Sequence, residues 1–136
     1  MKTMNAYLTF AGTCKDALEL YKESLGGEIV SLQTFGEVPS ENIPEEQKNN
    51  VMHAEFRAGD IYFMASDSMP EQPIIAGNNV TLSINLSSLD EQASIFGKLS
   101  DGGAVQMPLQ DTFWGARFGM LTDKYGISWM LNCDKK

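Results

Sequence analysis

The chain contains an internal repeat, and this feature limits the folds it can adopt more than any other. Residues of the same type recur 76 positions apart in two stretches that each end in paired glycines. Two later matches recur 66 positions apart, and a longer loop in the first copy explains the shorter offset. The matched positions are Ala17 with Ala93, Lys22 with Lys98, Gly26-Gly27 with Gly102-Gly103, Ile61 with Ile127, and Met64 with Met130. A shared order and register of this kind indicates a duplicated structural unit.

The first copy predicts one strand, one helix and three more strands. We expect the strands at residues 5–10, 28–35, 51–57 and 61–67. The helix should begin after Thr13, which forms a weak capping box with Asp16, and should end at the paired glycines. Its apolar face consists of Ala17, Leu18, Tyr21 and Leu25. Residues 36–50 are polar and aperiodic, and residues 68–79 are rich in Pro, Gly and Asn, so both segments are expected to be loops.

The second copy predicts the same order of elements. Its strands are expected at residues 80–86, 104–108, 117–122 and 127–133. Ser88 and Glu91 form a second capping box, and the helix that follows ends at the second glycine pair. The apolar positions of this helix are Leu89, Ala93, Phe96 and Leu99. The sequence therefore predicts an α+β fold in a single domain, residues 1–136, built from two βαβββ modules at about residues 5–67 and 80–133.

Composition disfavours several classes of partner. With 18 acidic and 10 basic residues the formal net charge is −8, which disfavours binding to nucleic acid or to an anionic membrane. No segment approaches the roughly 20 apolar residues of a membrane span, and the N-terminus lacks the apolar core of a signal peptide. Cys14 and Cys133 lack the number and spacing of a disulfide framework or metal site. We therefore expect a cytoplasmic protein with reduced thiols.

Residues 107–132 are the strongest candidate for a ligand site. Pro108 and the polar run at 110–115 are expected to interrupt strand pairing, which would place Trp114 and Arg117 where a loop enters a strand. A hairpin turn is predicted at 123–126, where Gly126 suits a position with positive φ. A loop rich in polar and aromatic groups beside a rigid hairpin is typical of a binding site.

Four motifs carry a resemblance to a known family. They are Ala17-Leu-x-x-Tyr-Lys-x-x-Leu-Gly-Gly27, His53-Ala-Glu-Phe56, Met64-Ala-Ser-Asp67 and Met107-Pro-Leu-Gln-Asp-Thr-Phe-Trp-Gly-Ala-Arg-Phe-Gly119 with Asp123 to Asn132. Together with the paired modules, they resemble the vicinal oxygen chelate superfamily of glyoxalase I, bleomycin-resistance proteins and extradiol dioxygenases, and within it the PhnB-like group. The resemblance spans nearly the whole chain. It implies curved mixed sheets whose concave faces hold a small-molecule ligand or a divalent metal, and it implies a homodimer.

The resemblance also implies where metal ligands would stand, namely on the first and last strands of each module. In this chain those places fall near Ala6 or Tyr7, Met64, residues 80–83 and Met130. None of them supplies a carboxylate or an imidazole, and a thioether is a poor ligand for hard or borderline cations. No cofactor is therefore assured, although a divalent metal stays compatible with the resemblance.

The only histidine, His53, lies on a predicted strand with charged neighbours. Strand alternation places His53 and Glu55 on one face, with Val51 and Arg57. The opposite face carries Met52, Ala54 and Phe56, and it should pack against a helix. Two interpretations of the polar face are open. It is either a salt-linked solvent-exposed face, or a ligand contact in which His53 titrates near neutral pH.

Trp114 and Arg117 likewise have two interpretations. They suit stacking on, and binding of, an anionic or planar group. Alternatively, Trp114 closes the mouth of a barrel, and Arg117 pairs with Asp111 or Asp123. The methionines either line an adaptable pocket or fill the core. The predicted ligand site consists of His53, Glu55, Met64, Gln110, Trp114, Arg117 and Met130, and no catalytic residue is assigned.

Two functions from different classes follow. The first is a small-molecule binding protein of the bleomycin-resistance kind, which needs only a concave pocket with a few polar anchors. The alternative is a metal-dependent lyase, isomerase or dioxygenase. The 3-demethylubiquinone methyltransferase label of some PhnB-like proteins is disfavoured, because no Gly-rich turn joins the first strand to the first helix. A Ser or Cys hydrolase lacks both a Gly-x-Ser-x-Gly motif and an evident nucleophile for His53.

Overall fold

Each copy of the repeat folds into a sheet of four strands with one helix. The computed structural model describes residues 1–37, 43–69 and 71–135. The elements of the first copy are β1 (Ala6–Phe10), α1 (Cys14–Leu25), β2 (Glu28–Thr34), β3 (Val51–Ala58) and β4 (Ile61–Asp67). Those of the second copy are β5 (Leu82–Leu86), α2 (Leu89–Ser100), β6 (Ala104–Asp111), β7 (Ala116–Thr122) and β8 (Ser128–Asp134). The prediction of two βαβββ modules is confirmed.

The predicted loops agree with the structure where it describes them. Two short 3-10 turns, Phe35–Glu37 and Glu45–Gln47, interrupt the loop predicted at 36–50. Residues 38–42 of that loop and residue 70 of the loop at 68–79 lie outside the described residues. Within the described part of the chain, no helix is long and apolar enough to cross a membrane.

The two modules form two units, Met1–Ile74 and Ile75–Lys136. The strand order of the first sheet is β1-β4-β3-β2, and that of the second sheet is β5-β8-β7-β6. In each sheet the first strand of the module runs parallel to the last, and the other neighbours are antiparallel. Both sheets are therefore mixed. The two units therefore have the same strand order, as the sequence repeat predicts.

A buried carboxylate holds α1 against the sheet of the first unit. The predicted capping box at Thr13 does not form, since the Thr13 side chain makes no capping hydrogen bond. Instead the Cys14 N–H donates to Asp67 Oδ1 over 2.9 Å, and the Val51 N–H donates to Asp67 Oδ2 over 2.8 Å. Asp67 therefore joins the last strand of the module to the start of α1 and the start of β3. The other end of α1 stops at Gly26, where φ is 71°.

A buried amide has the corresponding role in the second unit. The capping bond predicted at Ser88 is confirmed, because the Glu91 N–H donates to Ser88 Oγ. The predicted apolar face of α2 was wrong at Ala93, which is exposed, and at Leu89, which is 37% exposed. Gln92 is fully buried, and its Nε2 donates to the backbone carbonyls of Arg117 and Leu131. These bonds turn the helix so that Gln92, Ile95, Phe96 and Leu99 face the sheet.

The strand predicted to stop at Pro108 continues to Asp111. This correction has a simple cause. Strand β6 lies at the edge of its sheet. Pro108 has no N–H to donate, and an edge strand can hold a proline without losing a ladder hydrogen bond. The pairing with β7 shifts register between Met107 and Gln110, and this irregularity accommodates Pro108. The irregular loop expected at 110–115 is consequently only the turn between β6 and β7, while the positive φ predicted for Gly126 is confirmed at 94°.

The hydrogen bonds of Asp67 lead to a prediction about stability. In the variant Asp67→Asn, the side-chain nitrogen cannot accept a hydrogen bond, so one buried backbone N–H loses its partner. We expect the free energy of unfolding to fall by about 1–3 kcal/mol, measured by urea denaturation. Glu23→Gln makes the same chemical change at an exposed position of α1 and should alter stability little. Equal stability of the two variants would contradict the role assigned to Asp67.

Candidate functional site

Each sheet has one face covered by its helix and one face that points away, which we call the open face. In the first unit, Tyr21 of α1 packs edge-on against Phe63 with ring centroids 5.7 Å apart. Phe63 and Phe56 stack at 4.9 Å on the same side, so the covered face is aromatic. Residues that alternate with these belong to the open face. They are Tyr7 on β1, Ser31 on β2, His53 and Glu55 on β3, and Tyr62 and Met64 on β4.

The prediction that Val51 shares a face with His53 was wrong. Val51 is fully buried, like Ala54 and Phe56 of the covered face. The pairing of β2 with β3 shifts register between Gln33 and Thr34, so β3 has one extra residue near its start. Such a bulge reverses the alternation beyond it. The predicted alternation from His53 onward is confirmed.

Glu55 is the centre of a hydrogen-bonded cluster on the first open face. Tyr62 Oη donates to Glu55 Oε1 over 2.7 Å, and Ser31 Oγ donates to Glu55 Oε2 over 3.0 Å. The bond from Tyr62, followed by the bond from Ser31, lowers the pKa of Glu55 below its ordinary value. The same bond to Glu55 raises the pKa of Tyr62. The Arg57 guanidinium lies 4.8 Å from the centre of the Tyr62 ring. Glu55 is therefore held as a carboxylate with two fixed donors.

His53 and Met64 lie beside this carboxylate. His53 Nδ1 is 3.2 Å from Tyr7 Oη, at hydrogen-bonding distance. Met64 is the direct cross-strand partner of both Tyr7 and Glu55. Three predicted site residues, His53, Glu55 and Met64, are thus neighbours. The roles of Tyr62 and Ser31 were missed, although a two-residue turn at Gly59-Asp60 would have set the register that brings Tyr62 near Glu55.

The second open face is richer in apolar groups. Gly119 faces the helix, since a Cβ placed there would lie 2.8 Å from Phe96. Its neighbours Phe118 and Met120 must therefore point to the open side. Phe118 pairs with Gln110 and Asn132, and Met120 pairs with Met107 and Met130. Of the predicted site residues, Gln110 and Met130 thus belong to this face.

Trp114 lies at the end of the same face, in the turn between β6 and β7. Its ring centroid is 6.3 Å from that of Phe118 and 5.1 Å from that of Phe113. Trp114 is 57% exposed and Phe113 is 98% exposed. The turn therefore presents two aromatic rings to solvent, and one of them contacts a ring of the open face.

Arg117 points toward the helix. Its Nε donates to Gln92 Oε1 over 2.9 Å, and a terminal nitrogen donates to the Leu89 carbonyl. The partners that we considered for it are engaged elsewhere, since Asp111 pairs with Lys135 and Asp123 accepts from Trp129. The Arg117 side chain therefore lies on the helix side of the sheet and not on the open face. The predicted joint site of His53, Glu55, Trp114 and Arg117 would combine residues of the two units, and it stays a prediction.

The positions where the resemblance places metal ligands are cross-strand partners within each sheet, but their side chains do not suit a divalent ion. Tyr7 is opposite Met64 in the first sheet, and Ser83 is opposite Met130 in the second. Hard and borderline cations prefer carboxylate and imidazole ligands to thioethers and neutral hydroxyls. Within residues 1–37, 43–69 and 71–135, no group of three or more His, Cys, Asp or Glu could hold a metal ion.

A cleft of about 270 Å³ lies elsewhere in the first unit, beside the loop that joins β1 to α1. Its lining is made of small, amide and apolar residues: Ala11, Gly12, Gln47, Asn50, Ser68, Met69 and Pro73. None of the predicted site residues lines it. No charged side chain is among the lining residues, so we do not assign the candidate site to this cleft.

Comparison with known proteins gives a family match and two similar proteins. Residues 2–132 match a family described as 3-demethylubiquinone-9 3-methyltransferase. The protein YjdN of Escherichia coli (strain K12) is 34% identical over 142 residues, which cover 98% of this chain and 96% of YjdN. The structure of the PhnB protein from Bacillus cereus superposes with a TM-score of 0.83 at 30% identity, covering 97% of this chain and 99% of that one.

A more distant structure shares the fold alone. A glyoxylase/bleomycin resistance protein/dioxygenase domain from Frankia sp. EAN1pec superposes with a TM-score of 0.70 at 12% identity. The alignment covers 99% of this chain and 98% of that domain. The predicted glyoxalase/bleomycin-resistance-like fold is thereby confirmed.

The contacts of Arg117 give a second prediction about stability. Replacing it with methionine leaves the buried Gln92 Oε1 without its donor, so Arg117→Met should lower the free energy of unfolding by about 1–3 kcal/mol in urea denaturation. Arg57→Met removes an exposed guanidinium of the first unit and should cost less. If Arg117→Met is as stable as the wild type yet fails to bind a ligand, Arg117 belongs to the binding surface after all.

A third prediction concerns the pH response of Glu55. Because its pKa is lowered in the folded state, Glu55 stabilises the fold above the ordinary carboxyl pKa, and this contribution is lost as the pH falls through the lowered value. Tyr62→Phe removes the main cause and should raise the pKa of Glu55 toward its usual range, as followed by NMR of the carboxyl carbon. Tyr7→Phe, which alters the contact to His53, should have a smaller effect. Equal pKa values in both variants would refute the assignment.

Proposed function

This chain belongs to the PhnB-like family, described as 3-demethylubiquinone-9 3-methyltransferase, and on that premise we propose that it binds a small organic molecule on the open faces of its sheets. The observation that carries the proposal is the cluster around Glu55. Strands β2, β3 and β4 supply its hydrogen-bonded side chains, and Tyr7 of β1 contacts the neighbouring His53. Polar groups converging on a rigid sheet are typical of a ligand site, since the scaffold fixes their geometry before the ligand arrives.

The cluster favours a ligand with a hydrogen-bond donor or a positive charge. Glu55 is held in its ionised form, and an ionised carboxylate only accepts hydrogen bonds. Two of its acceptor positions are taken by Tyr62 and Ser31, which leaves further lone pairs for a ligand. The formal net charge of −8 repels anionic compounds as well. We therefore propose a neutral or cationic ligand anchored at Glu55, with His53 and Met64 as neighbouring contacts.

The second open face suits an apolar group. Methionine side chains are flexible and polarisable, so they adapt to ligands of different shape. Phe118 and Trp114 add aromatic surface, and Gln110 adds an amide at the edge of the sheet. We propose that Gln110, Trp114 and Met130 contact an apolar or planar part of a ligand. These contacts need no covalent chemistry.

Binding without methyl transfer is the proposal, despite the description of the family. The loop from β1 to α1 is Ala11-Gly12-Thr13 and contains one glycine, whereas a dinucleotide-like cofactor site needs a Gly-rich turn there. The test is direct. Methyl transfer by the purified protein to a demethylated quinone would overturn the proposal.

The alternative function is a metal-dependent lyase, isomerase or dioxygenase. Met64 and Met130 argue against it, because they stand where the resemblance places metal ligands. Metal analysis of protein purified without a chelator separates the two functions. Stoichiometric Ni, Zn, Fe or Mn would favour the enzyme.

We also propose that the protein is a homodimer, as the resemblance implies. Light scattering coupled to size-exclusion chromatography tests this point independently of any ligand. A mass corresponding to one chain at micromolar concentration would contradict it.

A fourth prediction tests the binding surface. In a thermal-shift screen of neutral, cationic and anionic compounds, a true ligand at about 100 times its dissociation constant should stabilise the wild type by roughly 2.7 kcal/mol. Glu55→Gln and His53→Ala should each weaken binding of that compound by about tenfold. Glu28→Gln, an exposed carboxylate at the start of β2, is the matched control. Unchanged binding in both site variants, or hits confined to anionic compounds, would refute the proposed anchor.

A further inference from the structure

Three methionines form one continuous row across the second open face. Met107 on β6 is the cross-strand partner of Met120 on β7, and Met120 is the partner of Met130 on β8. All three side chains are half-buried. Partners in a ladder point to the same side of a sheet, so the three thioethers project together from the face opposite α2.

The row differs chemically from the corresponding row of the first unit. There the corresponding strands β2, β3 and β4 place Ser31, Glu55 and Met64 as cross-strand partners. The first row therefore offers a hydroxyl, a carboxylate and one thioether, while the second offers three thioethers. Oxygen ligands suit hard cations, and thioethers suit soft ones. The second row thus suits soft cations, in contrast to the hard or borderline divalent ions that the resemblance implies.

We propose that Met107, Met120 and Met130 form a binding site for a soft monovalent cation, Cu(I), with Ag(I) as its analogue. Neighbouring strands are about 4.8 Å apart, so the two outer methionines start roughly 10 Å from each other. Each methionine has three rotatable bonds, which allow the outer sulfurs to lean over the central one. A cation above Met120 then receives a lone pair from each of three sulfurs. No bond breaks and no electron is transferred.

Nothing in this coordination releases a proton. A thioether carries no proton at any ordinary pH, whereas thiolate and imidazole ligands must lose one before they bind a metal. The affinity of the methionine site is therefore independent of pH. The cysteines are the obvious competing ligands, but both are fully buried, and burial raises the pKa of the Cys14 thiol to about 12.

The test is a competition titration of the protein with the Cu(I) complex of bicinchoninate under reducing, oxygen-free conditions. It is repeated with Ag(I) by calorimetry. We expect one ion per chain and the same affinity at about pH 5.5 and pH 7.5. Met120→Leu preserves volume and apolar character but removes the central sulfur, so affinity should fall about tenfold or more. Met107→Leu and Met130→Leu should each weaken it in the same direction.

Met52→Leu is the matched control, because Met52 is a half-buried methionine on β3 of the other unit. It should leave the affinity unchanged, and circular dichroism should show that all four variants are folded. Absence of stoichiometric binding, equal binding by Met120→Leu and the wild type, or affinity that falls steeply as the pH is lowered would each overturn the site. Because leucine keeps the face apolar, Met120→Leu should still bind an organic ligand, so this inference can fail without affecting the proposed function.

Discussion

One buried polar side chain fastens the helix of each unit to its sheet. In the first unit this is Asp67, whose carboxylate accepts from the backbone of both α1 and β3. In the second unit it is Gln92, whose amide joins α2 to the carbonyls of β7 and β8. Leaving such a group unpaired in the interior is costly, so each side chain stabilises its helix on the face that the helix covers. The open faces, where the candidate ligand contacts lie, are the opposite faces.

Duplication then allowed one scaffold to carry two different surfaces. The pairing register equates Tyr7 with Ser83, Glu55 with Met120, and Met64 with Met130 across the two sheets. The ladder hydrogen bonds join backbone atoms and do not depend on these side chains. The open face also bears none of the helix contacts. Substitutions there cost the fold little, and the two faces could diverge, one toward ionisable groups and the other toward thioethers. Of these three pairs, only Met64 and Met130 keep the same residue type.

Periodicity and repetition predicted the fold well because they report on every element at once. The offset of 76 residues is the spacing between Ala6 and Leu82, the first residues of β1 and β5. Single interactions were harder to foresee. A glutamine at position 92 looks like a surface residue by type, and only the carbonyls of Arg117 and Leu131 make its burial favourable. The bulge that buries Val51 depends likewise on a partner strand, which the local sequence does not reveal.

The candidate site was predictable to the extent that it lies along one strand. His53 and Glu55 share a face because alternation within β3 is a local property, whereas Tyr62 and Ser31 reach Glu55 from neighbouring strands. At Arg117 the sequence position alone was misleading. Its place next to an aromatic turn suggested ligand binding, whereas its hydrogen bonds to Gln92 and Leu89 hold the helix against the sheet. A charged residue near a loop is therefore weak evidence for a site. Stronger evidence is a charge whose partners all come from the open side of the sheet, as they do at Glu55.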